Sequence, residues 1–508
     1  MPRASIRLLL AAALAAGIAA PAFAQPQPQP RPQAPEAERP RGDDPRKLPA
    51  EQTTSHAVEL PGRTLRFTVT VGSVPLYDGE GGALIAEVAT MAFRRSDAGT
   101  AERPVAFLFN GGPGAASAYL SLGAVGPWRL PLAAPSPSAS PVTVPNAETW
   151  LDFADLVFVD PVGAGYSWMA PRDELRRRFW SVEGDASSLA TVVRKWIERE
   201  GRQRSPKILV GESYGGFRVP RIARELQTRQ GVGIAGLVLV SPVLDFGWRF
   251  QPRHAPMRWV TELPSMAAAT MLSRGGTLDR AALAEVENYA AGAFMADLLR
   301  GPADTAAVER MSTRVAALTG LDPALVRRLA GRVDTPTYVR EANRAAGRVA
   351  SLYDATITGP DPDPDAMMSR PDDPVLDGID APLSSAMTDL YRRLGWKIDR
   401  PYRLLNREVN ASWSWGGRRI AAQVVDDLRE ALALDPAMRA LVVHGAADLV
   451  TPYFETQLIL AQLPAFGPER PRQALYPGGH MFYGRDDARA AFRDDARRLV
   501  EGIAPPGP

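Results

Sequence analysis

Apolar and polar residues alternate along residues 57–95, and this period of two is typical of a half-buried β-strand. Two strands are predicted there, at 65–71 and 83–93, and the YDGEGG sequence between them predicts a turn that makes the pair antiparallel. Beyond this region the alternation gives way to short, continuous apolar runs. These runs predict strands that are buried on both faces, at 105–110, 155–160, 207–210 and 234–240.

Segments with helical periodicity separate the buried strands, at 185–200 and 217–227. Buried strands that alternate with helices indicate a parallel sheet with crossover helices. The predicted class is therefore α/β, with a mostly parallel central sheet and antiparallel N-terminal strands. The same pattern resumes late in the chain with a strand at 440–445 and helices at 454–463 and 486–503.

The strand signal nearly disappears between these two parts of the sheet. Residues 250–435 contain mostly helical segments, which predicts a mainly helical cap insertion. The α/β core is then predicted in two parts, 51–249 and 436–508.

The N-terminal segments have compositions that do not suit a folded core. Residues 1–24 combine an early positive charge, a short apolar run and an Ala-Phe-Ala ending, which predicts a cleaved signal peptide; an uncleaved membrane anchor is the alternative. Residues 25–50 are rich in proline and charge and contain no aromatic residue, so we expect a disordered tether.

Composition narrows the possible functions. The 508 residues include 59 Lys and Arg against 57 Asp and Glu, so no basic surface typical of a nucleic-acid-binding protein is expected. There is no cysteine and there are four histidines, and we predict neither a cofactor nor a metal. No later segment is apolar enough to predict a membrane span, so after signal cleavage no membrane association is expected. The lack of cysteine favours a bacterial periplasm or the cell exterior.

Residues 211–215 read GESYG and fit the pattern G-x-S-x-G. A predicted strand precedes the motif and a predicted helix follows it, which is the context in which a strained turn exposes a serine hydroxyl above a sheet. Ser213 is therefore predicted to be a nucleophile. The alternative is an ordinary turn between a strand and a helix.

A serine nucleophile requires a base and a residue that orients the base. In this kind of motif the chain order is serine, acid, histidine. His480, in YPGGHMF, is the predicted general base, whereas His444 ends a buried strand and His254 lies at the start of the insertion. Asp448 follows the strand at 440–445 and is the predicted acid, with a solvated loop aspartate as the alternative.

The chemistry also requires donors for the negative oxygen of a tetrahedral intermediate. Residues 110–114 read NGGPG directly after a predicted strand, and glycines allow backbone N–H groups to approach such an oxygen closely. The predicted oxyanion hole consists of the N–H groups of Gly112 and Tyr214. A plain glycine turn is the alternative.

Five sequence blocks, taken together, resemble the serine carboxypeptidase family. They occur in the family's order and read NGGPGAAS, DPVGAGYS, GESYGG, HGAADLVTP and PGGHM. The resemblance implies the α/β-hydrolase fold and the removal of single residues from peptides with a free C-terminus, with an acidic optimum. It also implies that Asn110 and Glu212 bind the terminal carboxylate. Two carboxylates repel each other, so Glu212 must be protonated or hydrogen-bonded to do this.

The chain departs from the family pattern at three positions. Leu108 stands where the family has a tryptophan, and Ala115 replaces the cysteine of GPGCSS. Ala124 stands where the family often has a glutamate that pairs with the one in GES. The resemblance therefore predicts that the pair of acids sharing a proton is broken in this chain.

Three functions follow from these residues. The leading hypothesis is a serine-type carboxypeptidase, with peptides as substrates. An esterase or acyltransferase that uses the same Ser-Asp-His triad is the second hypothesis, because the acidic partner is missing. The third is a non-catalytic binding protein on a hydrolase scaffold, for which loss of the serine or the histidine would be the expected sign. The sequence gives no indication of oligomeric state.

Overall fold

A computed structural model describes residues 46–96, 102–132, 139–249, 251–366, 372–417, 421–467 and 470–503. From Arg46 onward these residues form one compact unit. The signal peptide predicted at 1–24 lies outside the described residues. The boundaries predicted at 250 and 435 fall within the compact unit and stay predictions.

A central sheet of ten strands organises the described residues. The strands of the chain are β1 (Gln52–Leu60), β2 (Arg63–Tyr77), β3 (Leu84–Arg95), β4 (Val105–Phe109), β5 (Trp128–Arg129), β6 (Val144–Pro145), β7 (Asp155–Val159), β8 (Trp168–Met169), β9 (Lys207–Glu212), β10 (Gly236–Val240), β11 (Arg348–Ala350), β12 (Thr358–Pro360), β13 (Arg439–Gly445) and β14 (Arg472–Tyr476). The order across the sheet is β1-β2-β3-β7-β4-β9-β10-β13-β14, and β8 pairs with β3.

The strand directions divide this sheet into two parts. β1, β2, β3 and β7 pair in antiparallel fashion, and β7, β4, β9, β10, β13 and β14 pair in parallel. The predicted fold class is thus confirmed. The sequence pattern did not predict the edge strands β1 and β14. β1 is largely exposed and β14 is short and mostly half-buried, so neither has a fully buried run like those of the central strands.

Helices cover both faces of the sheet and form most of the segment between β10 and β13. They are α1 (Ala118–Leu120), α2 (Asp173–Phe179), α3 (Val182–Arg199), α4 (Tyr214–Arg229), α5 (Phe246–Arg249), α6 (Met257–Gly275), α7 (Arg280–Tyr289), α8 (Met295–Arg300), α9 (Thr305–Thr319), α10 (Pro323–Arg328), α11 (Thr335–Glu341), α12 (Leu376–Arg393), α13 (Arg407–Ala411), α14 (Val425–Leu434), α15 (Tyr453–Leu460) and α16 (Asp486–Ile503). Shorter helical turns occupy Ser121–Val125, Trp150–Asp152, Ala290–Phe294, Arg344–Ala346 and Phe482–Gly484. Within the described ranges, none of the helices has the length and apolar content that a bilayer span requires.

Neighbouring residues of each central strand point to opposite faces of the sheet, so the core has two layers. Leu108 packs in the layer that contains α12 and α16, and Phe107 packs in the layer that contains α3, α4 and α14. A third apolar cluster joins α6 to α11 with α15. The helices of the predicted insertion therefore form two groups. α12 and α14 pack on the sheet, whereas α6 to α11 pack mainly on one another.

The start of the folded unit corrects one predicted boundary. The tether was predicted to extend over 25–50, but its last five residues pack on the sheet. Leu48 is buried, and its N–H donates to the buried Glu87 carboxylate at 3.0 Å. Arg46 also donates to Glu87, at 2.5 Å. A buried carboxylate needs such partners, and this need fixes residues 46–50 in place.

A buried ion pair connects the helices behind the sheet to the loop that follows β4. The Arg218 guanidinium of α4 is fully buried and lies 2.5 Å from the Asp185 carboxylate of α3. Arg218 also donates to the backbone carbonyl of Asn110. The pair therefore ties α3 and α4 to the residue at which the glycine-rich loop begins.

We expect Asp185→Ala to destabilise the protein by about 3–5 kcal/mol, because it leaves the Arg218 charge buried without its partner. Urea unfolding at neutral pH, followed by tryptophan fluorescence, measures the loss. Asp389→Ala is the matched control, since Asp389 is 47% exposed and pairs with arginines at the surface, where such pairs contribute less than about 1 kcal/mol. Equal losses in the two variants would contradict the prediction.

Candidate active site

Ser213 sits on a strained turn between β9 and α4. Its φ is 61° and its ψ is −122°, a conformation that L-residues adopt only when the surroundings impose it. Two glycines make the turn possible. A Cβ at Gly211 would lie 2.1 Å from the Gly215 carbonyl oxygen, and one at Gly215 would lie 2.4 Å from that of Phe109. The Ser213 N–H donates to the Val240 carbonyl at 2.9 Å, which holds the turn at the end of the neighbouring strand β10.

The structure brings Asp448 and His480 together. Asp448 lies in the loop after β13, and its Oδ2 is 2.7 Å from His480 Nδ1. Its Oδ1 accepts the backbone N–H groups of Val450 and Thr451 at 2.8 and 2.9 Å, and the Thr451 hydroxyl lies 2.6 Å from Oδ2. The aspartate is therefore fixed from several directions and cannot turn away from the imidazole.

The charges of this pair support each other. Burial alone would raise the pKa of Asp448, but the His480 charge and the hydrogen bonds from His480 and Thr451 lower it. Burial alone would lower the pKa of His480, but the Asp448 carboxylate raises it. An ionised carboxylate only accepts hydrogen bonds, so His480 Nδ1 carries the hydrogen. In neutral His480 the Nε2 lone pair is then available to accept a proton.

The loops of Ser213 and His480 are joined through the end of β10. Ser241 follows Val240, the residue that accepts the Ser213 N–H. The Ser241 hydroxyl donates to the backbone carbonyl of His480 at 2.9 Å. Both sequence-predicted residues therefore lie at the carboxyl-terminal edge of the parallel strands, where α/β proteins place their reactive groups.

A short segment of the predicted insertion, residues 352–355, contacts the loops of both Asp448 and His480. The hydrogen bonds run from Leu449 N to Leu352 O, from Ala355 N to Ala447 O, from His480 N to Tyr353 O and from Gly479 N to Asp354 Oδ2. The Tyr353 ring also meets the imidazole edge-on, with ring centroids 5.3 Å apart. The sequence pattern did not identify these residues, because nothing about 352–355 marks them as neighbours of a loop 125 residues away.

The glycine-rich loop after β4 lies directly against the Ser213 turn. A Cβ at Gly111 would be 2.6 Å from the Tyr214 nitrogen and 2.9 Å from the Ser213 Cβ, so only glycine fits there. Gly112 has a φ of 94°, which also favours glycine. In the part of the chain that the structure describes, no hydrogen bond uses the N–H of Gly112 or Tyr214. The proximity of loop and turn suits an oxyanion hole, and that role stays a prediction.

Asn110 and Glu212, predicted to act together, are hydrogen-bonded to each other. Asn110 Nδ2 donates to Glu212 Oε2 at 2.6 Å, and the Leu120 N–H donates to Asn110 Oδ1 at 3.1 Å, which fixes the orientation of the amide. A third residue joins them: the Tyr483 hydroxyl donates to Glu212 Oε1 at 2.8 Å. Burial raises the pKa of Glu212 to about 7, although His480, Tyr483 and Asn110 favour its charged form.

Tyr483 is the residue at this site that sequence reasoning missed. It follows His480 by three positions and lies 271 residues from Glu212 along the chain. The sequence analysis predicted that the acidic pair is broken at Ala124, and no sequence pattern connected Tyr483 with Glu212. Ala124 is buried in the turn Ser121–Val125, and Leu108 is buried in β4.

The other histidines do not join this group. His444 is buried at the end of β13, and its ring nitrogens lack hydrogen-bond partners among the described residues. His254 is exposed, and His56 contacts Thr54 in β1. Across the described ranges, no three histidine, aspartate or glutamate side chains are grouped as metal ligands.

Comparison with known proteins relates part of the chain to a family. Residues 92–247, which contain the glycine-rich loop and the Ser213 turn, match the sequence model of the serine carboxypeptidases. The match covers less than a third of the chain. Asp448 and His480 lie beyond the part matched to the serine carboxypeptidase model.

Curated relatives match over a similarly short part of the chain. The pheromone-processing carboxypeptidase kex1 of Aspergillus niger is 31% identical over 153 residues, which are 29% of this chain and 23% of the relative. The corresponding protein of Yarrowia lipolytica is 33% identical over 147 residues, 28% of this chain and 22% of the relative. The matched segment thus spans about a quarter of the length of these serine carboxypeptidases.

A solved structure extends the likeness beyond the matched segment at the level of fold. The crystal structure of KEX1(delta)p, a prohormone-processing carboxypeptidase from Saccharomyces cerevisiae, superposes with a TM-score of 0.52. The superposition covers 86% of this chain and 91% of the other, at 13% identity. The two chains therefore share the α/β-hydrolase fold.

We expect Asp448→Asn to slow the reaction of Ser213 with an organophosphonate by about 10³- to 10⁴-fold, because an amide would select the wrong imidazole tautomer. Mass spectrometry of the labelled protein at pH 7.5 gives the rate. Asp435→Asn, at the opposite end of β13, is the control and should stay within twofold of wild type. A normal labelling rate in Asp448→Asn would show that Asp448 does not orient His480.

His444 gives the protein a specific sensitivity to acid. Burial lowers the pKa of His444 to about 4, below the ordinary value of 6.5. The unfolded state therefore binds the proton first as the pH falls, so stability that is present above pH 6.5 is lost between about 6.5 and 4. The loss attributable to this group is about 3 kcal/mol.

We expect His444→Leu to lose less stability than wild type between pH 7.5 and pH 4.5, as measured by urea unfolding at both values. The variant should also keep the labelling of Ser213, because neither ring nitrogen of His444 is part of the hydrogen-bonded pair. His254→Leu, a change at an exposed position, is the control and should follow the wild-type curve. Identical pH dependence in all three proteins would contradict the assignment.

Proposed function

We propose that this protein is a serine-type carboxypeptidase that releases residues from the free C-terminus of peptides. The observation that carries the proposal is the hydrogen bond of 2.6 Å between Asn110 and Glu212, directly beside Ser213. A general esterase needs no such pair, since its substrates carry no carboxylate next to the scissile bond. Because the family match covers residues 92–247, the activity of the whole chain is a proposal.

In the first half of the reaction the Ser213 hydroxyl attacks the carbonyl carbon of the last peptide bond. His480 Nε2 takes the hydroxyl proton, and Asp448 stabilises the imidazolium that forms. The N–H groups of Gly112 and Tyr214 donate to the oxyanion of the tetrahedral intermediate. The intermediate collapses as His480 gives its proton to the leaving amine, and an acyl-enzyme on Ser213 remains.

In the second half water replaces the amino acid that has left. His480 takes a proton from the water, and the hydroxide attacks the acyl carbon. Collapse of the second tetrahedral intermediate returns the proton from His480 to Ser213 Oγ. The products are a free amino acid and a peptide shortened by one residue, and the protein returns to its starting state.

Recognition of the terminal carboxylate depends on the protonation of Glu212. Neutral Glu212 donates a hydrogen bond to the substrate carboxylate, and the Asn110 amide lies beside it. Ionised Glu212 repels the same group. Burial raises the pKa of Glu212 to about 7, so the neutral form persists over a wider pH range than for an ordinary glutamate. We therefore propose activity that extends from acidic to near-neutral pH.

An esterase or acyltransferase uses the same Ser213, His480 and Asp448. The hydrogen bonds of Glu212 favour the carboxypeptidase, because they hold a carboxyl group of raised pKa where a substrate carboxylate would bind. Export directed by residues 1–24 and a periplasmic or extracellular location stay predictions from sequence.

We expect wild-type protein to cleave an N-blocked dipeptide with a free C-terminus at least about tenfold more efficiently than the C-terminal amide, since hydrogen bonds to charged groups contribute that much discrimination. The measurement is kcat/KM by amino-acid release from pH 4.5 to 8, with the methyl ester as a third substrate. Ser213→Ala should be inactive on all three, and Ser187→Ala, at an exposed position in α3, should match wild type. Cleavage of the ester alone would identify an esterase and overturn the proposal.

A further inference from the structure

Glu212 has a partner that the family pattern does not supply. The Tyr483 hydroxyl donates to Glu212 Oε1 at 2.8 Å, on the opposite carboxylate oxygen from the one bound by Asn110. Tyr483 is fully buried, and among the described residues its hydroxyl bonds only to Glu212. Because this buried hydroxyl bonds to Glu212, we look for the role of Tyr483 in its effect on the Glu212 carboxyl group.

The ring of Tyr483 packs against the turn that carries Ala124. A Cβ at Gly123, the residue before Ala124, would lie 3.1 Å from Tyr483 Cε2. Ala124 occupies the position at which the family often has a second glutamate. The tyrosine thus reaches Glu212 from beside the segment that would otherwise carry the acidic partner.

We propose that Tyr483 is a positioning residue that replaces the acidic partner missing at Ala124 and keeps the Glu212 carboxyl aimed at the terminal carboxylate of the peptide. This inference rests on the proposed function and deepens it. In this site the carboxyl group that binds the C-terminal end of the peptide, that of Glu212, is paired with a hydroxyl group rather than with a second carboxyl group.

The two kinds of partner differ in charge. A second carboxylate next to Glu212 would have to share a proton with it, and the two groups would titrate as a coupled pair. The Tyr483 hydroxyl donates to Glu212 Oε1, so the single proton of neutral Glu212 is left for the substrate carboxylate. Burial raises the pKa of Tyr483 well above 10, so this partner stays neutral throughout the working range. Tyr483 therefore shares no proton with Glu212, and the remaining electrostatic coupling of Glu212 is to His480 and Asp448.

The remaining neighbours of Glu212 either oppose one another or carry no charge. The side chains that face it or its partner Asn110 are His480, Asp448, Tyr119, Tyr353, Tyr483 and Arg218. His480 lowers the pKa of Glu212 and Asp448 raises it, so this ion pair partly cancels. Removal of the Tyr483 hydroxyl therefore changes the ionisation of Glu212 without removing a charge from the site and without removing Asn110, the other proposed contact of the substrate carboxylate.

The test is Tyr483→Phe, which keeps the ring and deletes the hydroxyl. The Tyr483 hydroxyl stabilises ionised Glu212, so its loss should raise the pKa of Glu212. Neutral Glu212 would then persist to higher pH, and so would binding of the peptide with a free C-terminus. We measure kcat/KM for an N-blocked dipeptide free acid, divided by that for an N-blocked amino acid methyl ester with the same acyl group. Protonation of His480 reduces kcat/KM for both substrates alike, so its effect cancels in the ratio. The pH at which this ratio halves should rise by about one unit.

The control is Tyr476→Phe, which deletes another buried tyrosine hydroxyl that donates to a carboxylate, that of Asp495. Its midpoint should equal that of wild type. The ester kcat of Tyr483→Phe should stay within twofold of wild type, so that the change lies in KM for the free acid. A midpoint in Tyr483→Phe that stays in place or falls overturns the inference.

The same assay separates the two levels of the proposal. If wild type does not prefer the free acid to the amide, the proposed function fails and the inference fails with it. If wild type shows the preference and Tyr483→Phe does not move the midpoint, the carboxypeptidase assignment stands and only the role of Tyr483 is wrong.

Discussion

Direct backbone contact between the glycine-rich loop and the Ser213 turn is the constraint on which the site depends. Gly111 meets the turn at a distance that leaves no space for a side chain, and Gly211 and Gly215 are confined in the same way. Parallel strands β4 and β9 bring the loop and the turn to one edge of the sheet. Their contact sets the strained φ of Ser213 and places Asn110 next to Glu212.

Charge at this edge is balanced within small, separate groups. Asp448 and His480 form one ion pair, and Asp185 and Arg218 form another behind the loop. Glu212 is held by the neutral side chains of Asn110 and Tyr483, and burial raises its pKa to about 7 although His480 and these hydrogen bonds favour its charged form. The site therefore contains a carboxyl group that gains or loses its proton near neutral pH.

Local patterns allowed much of this arrangement to be predicted from the sequence. Strand runs, helical periodicity and the G-x-S-x-G motif act over a few residues, and they indicated the sheet, Ser213, Asp448 and His480. Tyr483 could not be predicted in this way, because its role arises from contact with a residue 271 positions away. The edge strands β1 and β14 were missed for a different reason, since neither contains a fully buried apolar run like those of the central strands.

The segment 352–355 gives the insertion a part in the architecture of the reactive centre. It hydrogen-bonds to the loops of both Asp448 and His480, although these loops belong to strands of the central sheet. A shortened chain that lacked this region would retain both residues of the pair but lose the scaffold that spaces them. An insertion taken from another protein would therefore have to reproduce the hydrogen bonds of this junction to hold the two loops in place.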